Sequence, residues 1–452
     1  MKRIRRRSLF GQFPLRIVAS AAIACSLLAA RPALLAQGGR SNQHWVSTWA
    51  TAVVARLQAP QGQAPQGQAP QAQNAQPPQG QAPQAPRPVL NFNNQTLRQV
   101  VHTSLGGERV RVVLSNAFGT APLAVGAAHV ALREKEAAIV PKSDRPLTFG
   151  GNPSMTIPAG AVVVSDPVTL TVPPLADLAI DLYLPGDTAT TTSPLTIHNG
   201  ALQTNYVSPP GDRTGAADLP VMTTTASWFF LARVEVTAPE QTGAVVAIGD
   251  SITDGSRSTA DTNNRWPDHL ARRLMAGNVK MSMLNAGIAG NRLLSDGPGV
   301  SALARFDRDV LVQTGVTHVI VMEGINDIGR GTSAADLIAA HRQLIERAHA
   351  RGLRIYGATL TPMEGTTFNG YFTPEHEAAR QALNQWIRTS KAYDGVIDFD
   401  AALRDPNHLA KILAQYVADD NLHPNDAGYQ VMAKAIDLEL FKVGQRTTAT
   451  AR

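Results

Sequence analysis

The chain has 452 residues, 44% of them apolar and 17% charged, with 41 Lys and Arg against 35 Asp and Glu for a net charge of +6. Seven of the basic residues (Lys2, Arg3, Arg5, Arg6, Arg7, Arg16 and Arg31) fall within residues 1–36, which hold no acid, so the remainder carries a net charge of −1. That balance excludes a general electrostatic footprint for nucleic acid or an anionic membrane surface. The apolar content excludes wholesale disorder, and about 400 residues beyond the basic leader call for roughly two cores.

Basic residues 2–7 precede an apolar stretch from Ile17 to Ala30, followed by small residues, which is the layout of a secretory signal peptide. A leader over 1–36, cut after Ala36, predicts a secreted or periplasmic protein. Arg6-Arg7-Ser8-Leu9-Phe10 loosely resembles a twin-arginine signal. The single cysteine, Cys25, lies within the leader, where lipid attachment is a weaker alternative because Ala22-Ile23-Ala24 lacks the expected leucine. The mature chain therefore has no thiol and no disulfide to staple it. No other apolar run approaches the roughly 20 residues that cross a bilayer, so stable membrane insertion is not expected.

Residues 41–238 read as an all-β accessory domain. Its segment 58–88 repeats Gln-Ala-Pro-Gln with Gly and almost no large apolar side chain, a composition that predicts an extended, solvated loop. Beyond it Val110, Val112 and Leu114 alternate with more polar neighbours, as do Leu178, Ile180 and Leu182, between recurrent turn signals. That pattern predicts an antiparallel β-sandwich. Trp45, Trp49 and Trp228 are either core aromatics or candidates for stacking on glycan.

From 243 to 443 the period changes. Apolar runs at Ala244–Ile248, Val279–Leu284, Thr317–Met322, Leu353–Leu360 and Val396–Phe399 alternate with helical stripes, such as Leu337, Leu344, Ile345 and Ala348, and Ala378, Leu383 and Ile387. This is an α/β pattern: a parallel sheet between helices, with ligands at the carboxyl ends of the strands. Residues 444–452 form a tail.

Four polar segments fall at those positions: Gly249-Asp250-Ser251 beyond the first run, Asn285–Arg292 beyond the second, Glu323-Gly-Ile-Asn-Asp327 beyond the third, and Asp420-Asn-Leu-His423 before the last helix. Each alone is ordinary turn chemistry. Together they resemble the four blocks of an SGNH hydrolase of the GDSL esterase/lipase superfamily, at Gly249-Asp250-Ser251, Gly290, Gly324-x-Asn326-Asp327 and Asp420-x-x-His423, over roughly 244–441. The resemblance implies a three-layer α/β/α flavodoxin-like catalytic domain. Residues 41–238 more loosely resemble the β-sandwich that precedes it in some bacterial members.

The chemistry asks for these residue types. A serine hydroxyl attacks an ester carbonyl only when a base takes its proton, and the base needs a carboxylate to hold its tautomer. Asp420 and His423 have a fitting spacing, but Asp405-Pro-Asn-His408 repeats it, and the resemblance decides for His423. It likewise implies an oxyanion hole of the backbone N–H of Ser251 and Gly290 and the side-chain amide of Asn326, donors aimed at developing charge. Asp250, Asp254 and Asp327 are expected to be turn and helix-start residues, and Arg292 is a candidate substrate contact. His102, His129, His318 and His341 are expected to be structural. No G-x-S-x-G elbow and no Walker A loop is present.

A metal site built from Asp250, Asp254, Asp420 and His423 would leave Ser251 and Asn326 without a role, so neither metal nor cofactor is expected. The expected activity is a serine esterase working through an acyl-enzyme, on polysaccharide acetyl esters before lipid, lysophospholipid or aryl esters. The segment Met363–Thr373, with Phe368, Tyr371 and Phe372, either walls the acyl pocket or packs on the sheet edge. A non-catalytic exported carbohydrate-binding protein is the alternative from another class. The oligomeric state is not legible from the sequence.

Overall fold

The computed structural model describes residues 43–58 and 91–442. The expected leader (1–36), nearly all of the Gln/Pro-rich segment (58–88) and the tail (444–452) lie outside the described residues.

Between Gln43 and Pro239 the strands are antiparallel. One sheet orders Gln43–Ala50, Leu231–Pro239, Gly107–Ser115 and Val162–Val164, with Val168–Val172 also paired to Gly107–Ser115. The other runs from Thr223–Thr225 through Asn205–Pro210, Gln95–His102, Asp177–Leu184 and Ala127–Lys135 to Ala138–Ile139. The period-two positions explain the packing: Val110, Val112, Leu114, Val234 and Val236 of the first sheet and Leu97, Leu178, Ile180 and Leu182 of the second all enter one core. A third sheet joins Ser227–Phe229, Leu195–Asn199 and Val54–Arg56.

After Pro239 the chain enters a fully parallel five-stranded sheet ordered Met281–Gly287, Gly243–Gly249, Val316–Met322, Arg354–Ala358, Gly395–Ile397. In chain order this is 2-1-3-4-5, the flavodoxin-like order. Gly243–Gly249 is buried along its whole length, which is why its sequence runs apolar without alternation. The helices Trp266–Ala276, Ala334–His349, Pro374–Thr389 and Asp426–Lys434 begin where the sequence supplies caps. Ser333, Thr373 and Asn425 accept the N–H of Asp336, His376 and Gly428, and Pro374 occupies a first helical position. No helix among the described residues is long and apolar enough to cross a membrane.

The antiparallel and parallel parts are joined by packing as well as by chain. Val46, Trp49 and Val54 share a continuous core with Ala244, Leu284 and Ile288. Ser282 Oγ donates to the carbonyl of Ser47 at 2.7 Å, and Ser104 Oγ accepts the N–H of Met283 at 3.0 Å.

Candidate active site

Ser251 opens the helical turn Ser251–Asp254 directly after the central strand Gly243–Gly249. As the first helical residue it has an N–H without a partner inside the turn. Asp250 makes that geometry, its carboxylate accepting the N–H of Ile252 at 2.9 Å as the N-cap. The side chain of Asp250 is thereby turned to backbone, as a turn residue should be.

His423 Nε2 lies 2.8 Å from Ser251 Oγ, and its Nδ1 lies 2.8 Å from Asp420 Oδ2. Asp420 Oδ1 accepts the backbone N–H of Leu422 and of His423, at 3.1 and 2.9 Å, which curls this short segment into the turn that the three-residue spacing requires. Burial alone would raise the Asp420 pKa. The hydrogen bonds from the His423 ring and backbone, with the histidine's charge, outweigh it and hold the carboxyl far below its usual range. The competing pair is elsewhere: Asp405 and His408 sit on a two-stranded hairpin, where exposed His408 approaches Glu364 at 3.8 Å.

Gly290 adopts φ +75°, and a Cβ there would meet Pro298 at 2.9 Å, so glycine is required. Asn326 lies in the turn Ile325–Ile328 beyond the third strand. Its Nδ2 donates to the carbonyl of Asn291 at 2.9 Å, while its Oδ1 accepts from Tyr371 Oη at 3.0 Å. These two bonds fix which end of the amide is the donor, and the second Nδ2 hydrogen remains for a ligand. Ser251, Gly290, Asn326 and His423 line one cleft of about 470 Å³, together with Phe368, Tyr371, Asn369 and Arg330.

Several side chains had no signal in the motif spacing. Arg257 donates from Nε to Asp420 Oδ2 at 2.8 Å, behind the histidine. Arg305 is buried and donates to the carbonyls of Ala286 and Gly249, at 2.7 and 3.0 Å, and to Asn291 Oδ1 at 2.8 Å, tying two strand ends to the glycine loop. Its buried charge is paired with Asp309 at 3.1 Å. Asp327 accepts the N–H of Leu293 and Leu294, at 2.8 and 3.0 Å, and so shapes the same loop instead of only starting a helix.

Asp254 also exceeds its expected turn role. It bridges His198 of the antiparallel part, at 3.1 Å, and the N–H of Ala289, at 3.0 Å. Beneath the nucleophile, Asp250 and Glu323 are fully buried. Burial pushes the Asp250 carboxyl up to about 7, and burial together with neighbouring Asp250 pushes Glu323 well up.

Arg292 requires correction. Its guanidinium donates to Ser295 Oγ at 2.9 Å and to the carbonyl of Asp296, within its own loop, and it is not part of the cleft lining. The cation of the cleft is Arg330, one turn beyond Asn326. Of the aromatic segment, Phe368 and Tyr371 line the cleft while Phe372 packs against the core. Phe368 meets the His423 ring edge-on, with centroids 6.2 Å apart. Trp49 and Trp228 are buried edge-to-face at 4.9 Å, and Trp45 lies half-buried beneath Arg111.

Of the histidines expected to be structural, His102 is held by Asp177, His129 by Asp144, and buried His341 by Tyr393. Burial pushes His318 and His341 down to about 4. Among the described residues no group of three or more His, Cys, Asp or Glu side chains is disposed to hold a metal ion.

A flavodoxin-like sheet with a hydrogen-bonded Ser–His–Asp line at its carboxyl edge defines a hydrolase-type α/β domain. The family model of GDSL-like lipases/acylhydrolases matches residues 247–431, and this segment is a domain of that family. No curated protein matches the chain.

Similar solved structures include a member of the lipolytic protein G-D-S-L family from Veillonella parvula, 21% identical, covering 44% of this chain and 98% of that one at a TM-score of 0.35. A variant of an acetyl-xylooligosaccharide esterase from Geobacillus Stearmophilus is 22% identical, covering 45% and 95% at a TM-score of 0.34. A carbohydrate acetylesterase from Sinorhizobium meliloti is 15% identical, covering 44% and 98% at a TM-score of 0.35.

Proposed function

We propose that the chain is a serine esterase that cleaves carboxylic esters through an acyl-enzyme, exported to the periplasm or medium and acting on acetylated polysaccharide. The observation that carries this reading is the continuous line Ser251 Oγ, His423 Nε2, His423 Nδ1, Asp420 Oδ2, with 2.8 Å at each hydrogen bond, opening into a cleft.

Ser251 Oγ attacks the acyl carbon as its proton passes to His423 Nε2, and Asp420 stabilises the imidazolium that results. The carbonyl oxygen becomes an oxyanion facing the N–H of Ser251, the N–H of Gly290 and Nδ2 of Asn326. His423 then gives the proton to the departing alkoxide, releasing the alcohol and leaving an ester on Ser251. Water repeats the cycle, with His423 first taking its proton and then returning it to Ser251 as the acid leaves.

The leader expected over 1–36 supports export, and export favours a glycan over an intracellular ester. Polar Asn369 and Arg330 beside the cleft suit a hydroxylated substrate. The half-exposed ring of Phe368 favours a second reading, an aryl or lipid ester. Turnover on acetyl-xylan compared with p-nitrophenyl esters of C2 to C12 acids tests the choice. Preference for acetyl-xylan and C2 is expected, and a rate that climbs with chain length would move the assignment to lipid esters.

A further inference from the structure

His198 belongs to the strand Leu195–Asn199 of the antiparallel part, yet its ring is directed at the hydrolase domain. It is 3% exposed. Nδ1 lies 2.8 Å from the carbonyl oxygen of Ala52, which can only accept, so Nδ1 carries a hydrogen. Nε2 lies 3.1 Å from Asp254 Oδ1, and an ionised carboxylate also only accepts. Both ring nitrogens are then donors, which describes an imidazolium. Burial opposes that charge, but the charge of Asp254 and its hydrogen bond outweigh burial and raise the His198 pKa.

The other oxygen of Asp254 accepts the N–H of Ala289 at 3.0 Å, and Ala289 directly precedes Gly290. Asp254 is also the last residue of the turn that Ser251 opens, and a Cβ on Gly287 would come within 2.3 Å of its backbone nitrogen. One carboxylate thus joins the nucleophile's turn, the glycine loop and the antiparallel part. The ring of His198 lies 5.5 Å from that of Trp228, whose Nε1 donates to the carbonyl of Val100 at 2.8 Å.

We propose that His198 is a positioning residue for the oxyanion hole, acting through Asp254 to hold the Ala289–Gly290 backbone, so that the antiparallel part completes the catalytic site. The proposal rests on the acylhydrolase reading. It gives the N-terminal strands a task in catalysis separate from any in glycan binding.

The test uses the full chain with p-nitrophenyl acetate and, as a tetrahedral analogue, phenylboronic acid. Misplacing one oxyanion donor lowers turnover steeply, so His198→Ala should reduce kcat by about 10- to 100-fold with KM changed by less than about twofold. The inhibition constant for the boronic acid should rise by the factor that kcat/KM falls. His198→Gln, which keeps one N–H for Asp254, should recover part of the loss. In an Asp254→Asn background, adding His198→Ala should cost nothing further.

If His198→Ala does not fold, Asp254→Asn decides: a fall in kcat with parallel weakening of the boronic acid supports the proposal, and wild-type kcat overturns it. Wild-type kcat in folded His198→Ala, or full additivity with Asp254→Asn, likewise overturns it. A wild-type chain inactive on every ester overturns the acylhydrolase reading and this proposal with it. An active wild type with unchanged His198 variants overturns this proposal alone.

Discussion

Arg257 and His423 share one oxygen of Asp420: Arg257 Nε and His423 Nδ1 both reach Oδ2 at 2.8 Å. Arg257 is also one of the non-glycine residues with positive φ, at 72°, and its side chain is half exposed. The loop that carries it is fastened to the last helix, because Asp426 accepts the N–H of Thr259 at 2.8 Å.

Asp420 keeps its two backbone donors without Arg257, and a half-exposed ion pair is screened by water. Arg257→Ala is therefore expected to lower kcat/KM less than about tenfold. Asp420→Asn misassigns the histidine tautomer and should cost about 10⁴-fold in kcat. Steady-state kinetics on p-nitrophenyl acetate check both. Equal losses in the two variants would mean that Arg257 touches the substrate directly.

The Asn326 amide is held at both ends, and burial pushes the Tyr371 phenol well above its usual pKa so that it stays a donor. Asn326→Ala removes the side-chain donor proposed for the oxyanion and should lower kcat by about 100- to 1,000-fold with KM little changed. Tyr371→Phe leaves the donor but frees the amide to rotate, so its loss should be smaller. Gly290→Ala combines a positive φ with a clash on Pro298 and should reduce kcat at least as much as Tyr371→Phe. The kcat and KM of the three variants, measured alongside thermal unfolding, check this order.

The alternation of elements was legible because strands buried on both faces must be written as unbroken apolar runs, and Ala244–Ile248 is such a run. The hydrogen-bonded residues Ser251, His423 and Asp420 carried chain-local cues, a serine at a strand end and an acid three residues before a histidine. Spacing could not separate His423 from His408; the resemblance to the family block chose His423, and the fold brings it to Ser251 at the end of the first strand. Arg257, Arg305 and His198 carried no signal, and Asp254 none beyond that of a turn residue. Asp420 lies 163 positions from Arg257, Ala286 19 from Arg305 and Asp254 56 from His198, and a lone arginine or histidine has no periodicity to betray it. Arg292 misled because an arginine next to a glycine loop faces the cleft in one backbone turn and its own loop in another.

Asp250 gives a pH signature in stability. Its carboxyl titrates near 4 when unfolded and at about 7 when folded, because burial disfavours the anion. Between those values the folded state binds the extra proton, so raising the pH from 4 to 7 weakens folding. Asp250→Asn keeps an acceptor for the N–H of Ile252 and removes the titration. Its Tm relative to wild type should therefore be higher at pH 8 than at pH 5, by several degrees. An identical difference at both pH values, in calorimetry, would contradict the buried acid.

Arg98 and Asp181, both buried, meet at 2.7 Å on the second antiparallel sheet, and Arg98 also donates to the carbonyls of Ala137 and Ala216. Removing one partner strands the other charge, so Asp181→Ala should destabilise by about 3–5 kcal/mol. Denaturant unfolding measures it, and a loss below about 1 kcal/mol would mean that water reaches the guanidinium.

The proposed mechanism requires that Ser251 becomes acylated with His423 as its base. Reaction of the full chain with a fluorophosphonate, followed by peptide mass spectrometry, tests it most directly. A single adduct on Ser251 is expected, with loss of p-nitrophenyl acetate hydrolysis in proportion to labelling, and neither adduct nor hydrolysis in folded Ser251→Ala. An adduct on another residue, or wild-type turnover by Ser251→Ala, would contradict it.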